Sequence, residues 1–264
     1  MPRGWPPQDL PLLAPGLILA AAFVVLWANQ LRTRNATSVD VAWSAAIGLL
    51  GLFWAGVGAG AAPQRWLAAA LVAAWSGRLT WHLLTDRLLR HRGEDGRYRA
   101  MREHFGDRAA VHFFWFYQLQ ALVAFVFAVP FAALAGHTDP TISALQWTGV
   151  TVFVLAQVGE ATADRQLAAH RAEPAARGLT CRRGLWRYSR HPNYFFEWLS
   201  WCGIGAAAWP AAGPLALLQP ALMFVLVRFV SGVPFAEQQS LRSRGDDYRR
   251  YQQQTNTFVP WFPR

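Results

Sequence analysis

The sequence predicts an all-α integral membrane bundle of about seven transmembrane helices with cytosolic loops, its N-terminus outside and its C-terminus in the cytosol. Three observations carry that prediction. More than half of the 264 residues are hydrophobic, fourteen are tryptophan and only 15% are charged, a mixture too apolar for an ordinary soluble domain. Seven windows approach the roughly 20 apolar residues that a spanning helix needs. Finally, the basic residues are all arginine, and they crowd into alternate connections between those windows.

The first window, Leu10 to Gln30, is too long for the apolar core of a signal peptide. It runs into Trp27-Ala28-Asn29-Gln30-Leu31 without a small-residue cleavage site, so it should stay attached as a helix. Arg32 and Arg34 follow it. The second window, Val39 to Gly60, opens with NATSVDVAW, and Asp40 there either starts the helix alongside Ser38 or serves as a site carboxylate. Its end, Gly56 to Ala61, loosely fits a dinucleotide-binding glycine pattern, but no predicted strand precedes it, so that function is set aside.

The third window, Trp66 to Leu84, is followed by Arg87, Arg90, Arg92, Arg97, Arg99, Arg102 and Arg108. The fourth, Phe113 to Ala135, ends in the short connection His137 to Pro140. The fifth, Ala144 to Glu160, leads into the arginines between Arg165 and Arg190. The sixth, Tyr194 to Trp209, and the seventh, Leu215 to Val230, are separated by Pro210 to Pro214, and Arg242 to Arg264 close the chain. Arginine-rich loops belong on the cytosolic side, so the chemistry should face the cytosol. No repeat or change of composition marks a second domain, and residues 1–264 are expected to form one polytopic unit.

The net charge of +10 does not indicate nucleic acid, because the arginines sit in short loops tied to membrane helices. Orientation and anionic ligands explain it better. Cys181 and Cys202 are expected to be free thiols, one in a cytosolic loop and one within a span. No HExxH, paired CxxC or histidine cluster supports a metal site, and no serine stands in a nucleophile elbow.

Ionisable residues within spans are costly and point to function. Gln157, Glu160 and Asp164 share one helix face by their spacing, with Arg171 two turns further on. This stripe either pairs with neighbouring helices or forms part of a site. Pro192 suits the first turn of a helix, which places Asn193 and Glu197 one turn apart. Glu197 then meets either a ligand or a loop arginine. Arg182, Arg183, Arg187 and Arg190 precede that helix, and guanidinium forks match phosphate geometry. His82 and Asp86 lie one turn apart in LTWHLLTDRLLRHRGEDGRY, whose polar continuation carries Arg87, Arg92, Arg97 and Tyr98.

Taken together, NATSVDVAW, RLTWHLLTDRLLRHRGEDGRY, GEATADRQL with Arg171, GLWRYSRHPNYFFEW and the ending VSGVPFAEQ through DDYRRYQQQTNTFVPWFP resemble the steroid 5-alpha-reductase family in its bacterial branch. Sterol C14 and delta-7 reductases are similar more distantly. The resemblance implies a multi-pass protein of a bacterial inner membrane, with residues 1–110 on the substrate and proton-donor side and residues 111–264 on the cofactor side. It implies NADPH bound from the cytosol and hydride transfer to an activated carbon–carbon double bond of a lipophilic substrate, such as a 3-oxo-steroid, entering from the bilayer. The cofactor residues it implies are Arg87, Arg92, Arg97, Tyr98, Asp164, Arg171, Arg183, Arg187, Tyr188, Arg190, His191, Asn193, Tyr194, Glu197, Glu237 and Tyr248. The glutamate and tyrosine of the steroid reductases have no clear counterpart in the second and third spans, leaving Asp40 and His82 as the catalytic candidates. The RHPxY run and the tail also resemble isoprenylcysteine carboxyl methyltransferases, which use S-adenosylmethionine. A non-catalytic lipid- or sterol-binding protein of this fold is the third reading.

Overall fold

The structure, a computed structural model, describes residues 13–90 and 93–264. Arg92 and the start of the first window at Leu10 lie outside the described residues. Among those described, the chain is helical and has no strand. Among the described residues each of the seven expected windows is largely helical, and several helices run on past the apolar stretch into the arginine-rich loops. Four segments are long and apolar enough to cross a membrane: Ala14–Thr33, Ser38–Val57, Gly96–Gly136 and Pro192–Arg244. The helices that carry the third and fifth windows are diluted by polar residues, Gln64, Arg65, Arg78 and His82 in one, Gln157, Glu160 and Asp164 in the other.

The chain divides into two compact units. One comprises the described residues up to Ile142 with Pro210–Gly213, and the other Ser143–Trp209 with Pro214–Arg264. In the first unit, α1 (Leu13–Thr33), α2 (Ser38–Val57), α3 (Ala62–Leu83) and α5 (Ala109–Gly136) surround a core that includes Trp54, Trp75, Phe113, Tyr117, Phe127 and Phe131. A π-helical turn (Leu84–Leu89) and the short α4 (Gly96–Phe105) connect α3 to α5. The glycine pattern at the end of α2 has a packing cause. Gly60 donates its N–H to the carbonyl of Ala135 over 2.9 Å, and a Cβ on Gly60 would fall 2.5 Å from that oxygen.

In the second unit, α6 (Ala144–Ala172) starts at a capping box in which Ser143 accepts from the Gln146 N–H and the Gln146 side chain accepts from the Ser143 N–H. It packs on α7 (Pro192–Ala212) through Gly149 and Gly203. A Cβ on either would lie within 2.7 Å of the other's carbonyl oxygen, so small residues let the two backbones meet. α8 (Leu218–Val225) continues into a second π-helical turn (Leu226–Val230), followed by α9 (Val233–Arg244) and α10 (Asp246–Gln254). Helix α7 begins at Pro192, as its sequence predicts.

Candidate functional site

In the first unit the structure gathers three expected residues around the carboxylate of Asp40. Asp40 does not cap α2. Thr37 occupies the cap position without a side-chain bond, and Asp40, already in the first turn, points across the bundle. Its Oδ2 accepts from Arg87 and, at 2.6 Å, from Arg97, while its Oδ1 accepts from the Tyr98 hydroxyl at 2.5 Å. The loop supports this arrangement because Asp95 caps α4 by accepting from the Arg97 N–H at 2.9 Å, and accepts from Arg97 Nε at 3.0 Å. Burial alone would raise the Asp95 carboxyl. The hydrogen bonds and charge of Arg97, with Arg87 nearby, hold it below the usual carboxylate range. Beside it, Glu94 receives Arg102 at 2.8 Å and the Ala36 N–H at 3.0 Å. Arg87 and Arg97 are therefore committed to carboxylates. His82 sits half-buried in the last turn of α3, and its carbonyl accepts from Thr85.

Two further groups complete this end of the unit. Among the described residues, the Tyr117 hydroxyl of α5 and the Trp43 indole N–H of α2 are buried and have no hydrogen-bond partner. Tyr117 is wholly buried and lies within electrostatic reach of Asp40, Glu94 and Arg102. Trp43 stands one turn along α2 from Asp40. Buried polar groups are almost always satisfied, so the Tyr117 hydroxyl near this carboxylate cluster is open to an acceptor from outside the protein. Sequence pattern gives little sign of Tyr117; its one signal is a lone polar tip within the apolar run HFFWFYQLQ.

In the second unit, the polar stripe of α6 faces α7. Gln157 donates to Ser200 at 2.9 Å, and Asn193 donates to Asp164 at 3.3 Å. Glu160 is buried on the same stripe. Glu197, also buried, accepts from the Trp201 indole at 3.0 Å, one turn further along α7. His191 stacks on Tyr194 with ring planes 8° apart. Burial pushes its imidazole below the ordinary value, against the pull of Glu237.

Arg190 is where the structure departs most from expectation. Its Nε donates to Glu237 at 2.7 Å, its Nη1 to the carbonyls of Gln252 and Thr255 at 2.9 Å each, and its Nη2 to Thr257 at 2.8 Å. Four of its five N–H groups are hydrogen-bonded within the protein, and Glu237 also neutralises its charge. Arg190 and Glu237 thus fasten the tail and present nothing to a phosphate. Arg183 is bound to Glu173 at 2.7 Å, and Arg182 to Asp247 at 3.0 Å. Tyr248 is buried against Tyr251, and burial pushes its hydroxyl up to about 12. Tyr188 gives its carbonyl to the Trp261 N–H.

What remains available in the second unit is a smaller set. Arg171 and Arg187 are exposed and have no carboxylate partner among the described residues. Cys181 and Cys202 are free thiols, as the sequence predicts.

Comparison with known proteins places this chain among similar sequences. Over 214 residues it is 29% identical to an uncharacterized protein of Schizosaccharomyces pombe; the match covers 70% of this chain and 61% of the yeast protein. No solved structure matches it. A family profile described as Protein of unknown function (DUF1295) matches residues 26–255, and the chain belongs to that family.

Proposed function

We propose that the protein is an NADPH-dependent membrane reductase acting on the activated double bond of a lipophilic enone. The observation that carries this reading is the buried Tyr117 hydroxyl, unpartnered among the described residues and within electrostatic reach of Asp40. An acceptor such as a substrate carbonyl is what an unpartnered hydroxyl donor satisfies. Drawing electron density onto that oxygen makes the β carbon receptive to hydride. The family's association with steroid 5-alpha-reductase-like proteins supports the same chemistry.

Within this reading the chain's own groups have distinct tasks. Asp40 accepts from three donors and so orients Tyr98, Arg87 and Arg97. Tyr117, whose proton is not directed at any protein acceptor, is the group that polarises or protonates the substrate oxygen. His82 is the alternative donor that the sequence offers. In the second unit, Arg171 and Arg187 fit the anionic cofactor because their guanidinium groups are uncommitted, while the Asn193 and Asp164 pair offers amide and carboxylate groups to hydroxyls or a carboxamide. NADPH, when bound, supplies the hydride. Seven membrane crossings, an N-terminus outside and cytosolic loops complete the proposal, in keeping with the arginine distribution.

The test is thermal stability of the detergent-solubilised protein with NADPH, NADH or S-adenosylmethionine. A ligand at about a hundred times its dissociation constant stabilises by roughly 2.7 kcal/mol. A rise with NADPH, together with NADPH consumption on addition of a 3-oxo-4-ene steroid or a simpler lipid enone, is expected. A rise with S-adenosylmethionine alone would replace the reductase reading by a methyltransferase. No rise with any of the three would leave a lipid-binding protein.

A further inference from the structure

Arg228 lies in the π-helical turn that ends α8, within the apolar segment Pro192–Arg244. It has no hydrogen bond or ion pair among the described residues; its guanidinium lies 5.1 Å from the centre of the Phe229 ring, and its charge reaches His191. A half-buried arginine without a carboxylate in a membrane segment is costly and marks a ligand or a pathway. Turns of π type also recur at functional sites.

The surroundings are built by the tail. Arg190 donates its backbone N–H to Asn256 at 2.8 Å, Ser189 donates to the Phe258 carbonyl at 2.7 Å, and Trp261 donates to the Tyr188 carbonyl at 2.9 Å. With the Arg190 side chain bound to Thr255 and Thr257, these bonds hold the last residues as a fixed wall. The result is an open cavity of about 410 Å³ lined by Arg228, Asn256, Thr257, Phe258, Val259 and Trp261. Thr257 takes its hydrogen bond from Arg190 and keeps its own O–H to give. The side-chain amide of Asn256 has no hydrogen-bond partner among the described residues. The lining therefore offers one cationic fork and several neutral donors, and it contains no acidic side chain.

We propose that this cavity binds the phosphodiester of an anionic glycerophospholipid, with the acyl chains lying over its apolar rim. Donors grouped around a guanidinium match a phosphate. The absence of a carboxylate in the lining leaves nothing to bind the ammonium of a zwitterionic headgroup. The rim selects a lipid over free phosphate: Phe229, Val230, Val259, Trp261 and Phe262 are all more than half exposed, and a tryptophan with apolar neighbours at this position suits the headgroup level of a bilayer. The inference does not depend on the reductase reading, because none of the lining residues belongs to the set assigned to NADPH or substrate.

The test uses the full-length protein in a neutral detergent, with phosphatidylglycerol, phosphatidylethanolamine or inorganic phosphate added and binding followed by native mass spectrometry and thermal shift. Phosphatidylglycerol is expected to bind at least about tenfold more tightly than phosphatidylethanolamine, as loss of a charged hydrogen bond implies. Arg228→Gln should remove that preference. Equal retention of phosphatidylglycerol by Arg228→Gln overturns the site, as does equal binding of both lipids by the native chain. Stabilisation by inorganic phosphate alone overturns the lipid assignment. If Arg228→Gln does not fold, Asn256→Ala and Trp261→Ala carry the test, and unchanged lipid preference in both rejects the proposal.

Discussion

Tyr117 separates folding from chemistry at a single atom. Its hydroxyl is buried without a partner among the described residues, and leaving such a group unsatisfied costs about 1–3 kcal/mol. Tyr117→Phe is therefore expected to fold at least as well as the native chain, and to be more stable by about 1 kcal/mol. If the hydroxyl serves the substrate oxygen, the same change lowers turnover by about a hundredfold while NADPH binding is kept. Melting and NADPH-oxidation measurements check both halves. A stability loss with unchanged turnover would make Tyr117 a structural residue. Arg190 is the opposite case. Its four committed donors make it a clamp, and its place in the RHPNY run gave it the look of a phosphate ligand because a sequence shows residue type and spacing, whereas a guanidinium's role depends on which acceptors surround it. Asp40 shows the same limit: its position near a helix start fits a cap, and only the folded bundle brings Arg87, Arg97 and Tyr98 to it.

At the level of elements, the second unit depends on how closely α6 and α7 approach. Gly149 and Gly203 face each other's backbone, and a methyl group at Gly203 would stand 2.7 Å from the Gly149 carbonyl. Neither backbone can yield like a flexible side chain. Gly203→Ala is expected to destabilise the protein by roughly 1–3 kcal/mol. It should also weaken the Gln157–Ser200 and Asn193–Asp164 bonds that depend on the same separation. A lower melting temperature together with reduced NADPH-induced stabilisation is the expected result; an unchanged melting temperature would show that the helices can part without cost. The helices themselves were readable from apolar runs and from Pro192, but their pairing through two glycines forty or more positions apart was not. Nothing in a local pattern says which glycine faces which.

Across the whole molecule, charge sets the pH response. Burial alone would raise the Asp247 carboxyl. Hydrogen bonding from Thr180 and the charges of Arg182 and Arg250 outweigh it and hold the group below its ordinary value of 3.8. Asp95 is lowered in the same way. A carboxylate whose folded pKa is depressed contributes stability that is complete above the unfolded value and disappears as pH falls through the folded one. Melting temperature is therefore expected to hold above about pH 5 and to drop steadily below about pH 4. Asp247→Asn should be less stable at neutral pH and should show a shallower acid slope. Parallel profiles for the two proteins would show that Asp247 does not link protonation to folding. With a net charge of +10, further protonation adds to self-repulsion in the same direction.

The sequence by itself determined that this is a helical membrane protein, where its apolar helices fall, and that its arginines cluster in alternate loops. These properties follow from composition and from the length of apolar runs, which act locally along the chain. Tertiary structure alone decided which charges are consumed and which remain free. It assigned Arg190 to Glu237 and the tail, Arg183 to Glu173, and Arg87 with Arg97 to Asp40, and among the described residues it left Arg171, Arg187 and Arg228 without acids and Tyr117 and Trp43 without acceptors. The reason is physical: a hydrogen bond or ion pair is a property of two groups within about 3 Å, and groups dozens of residues apart reach that distance only when the chain is folded.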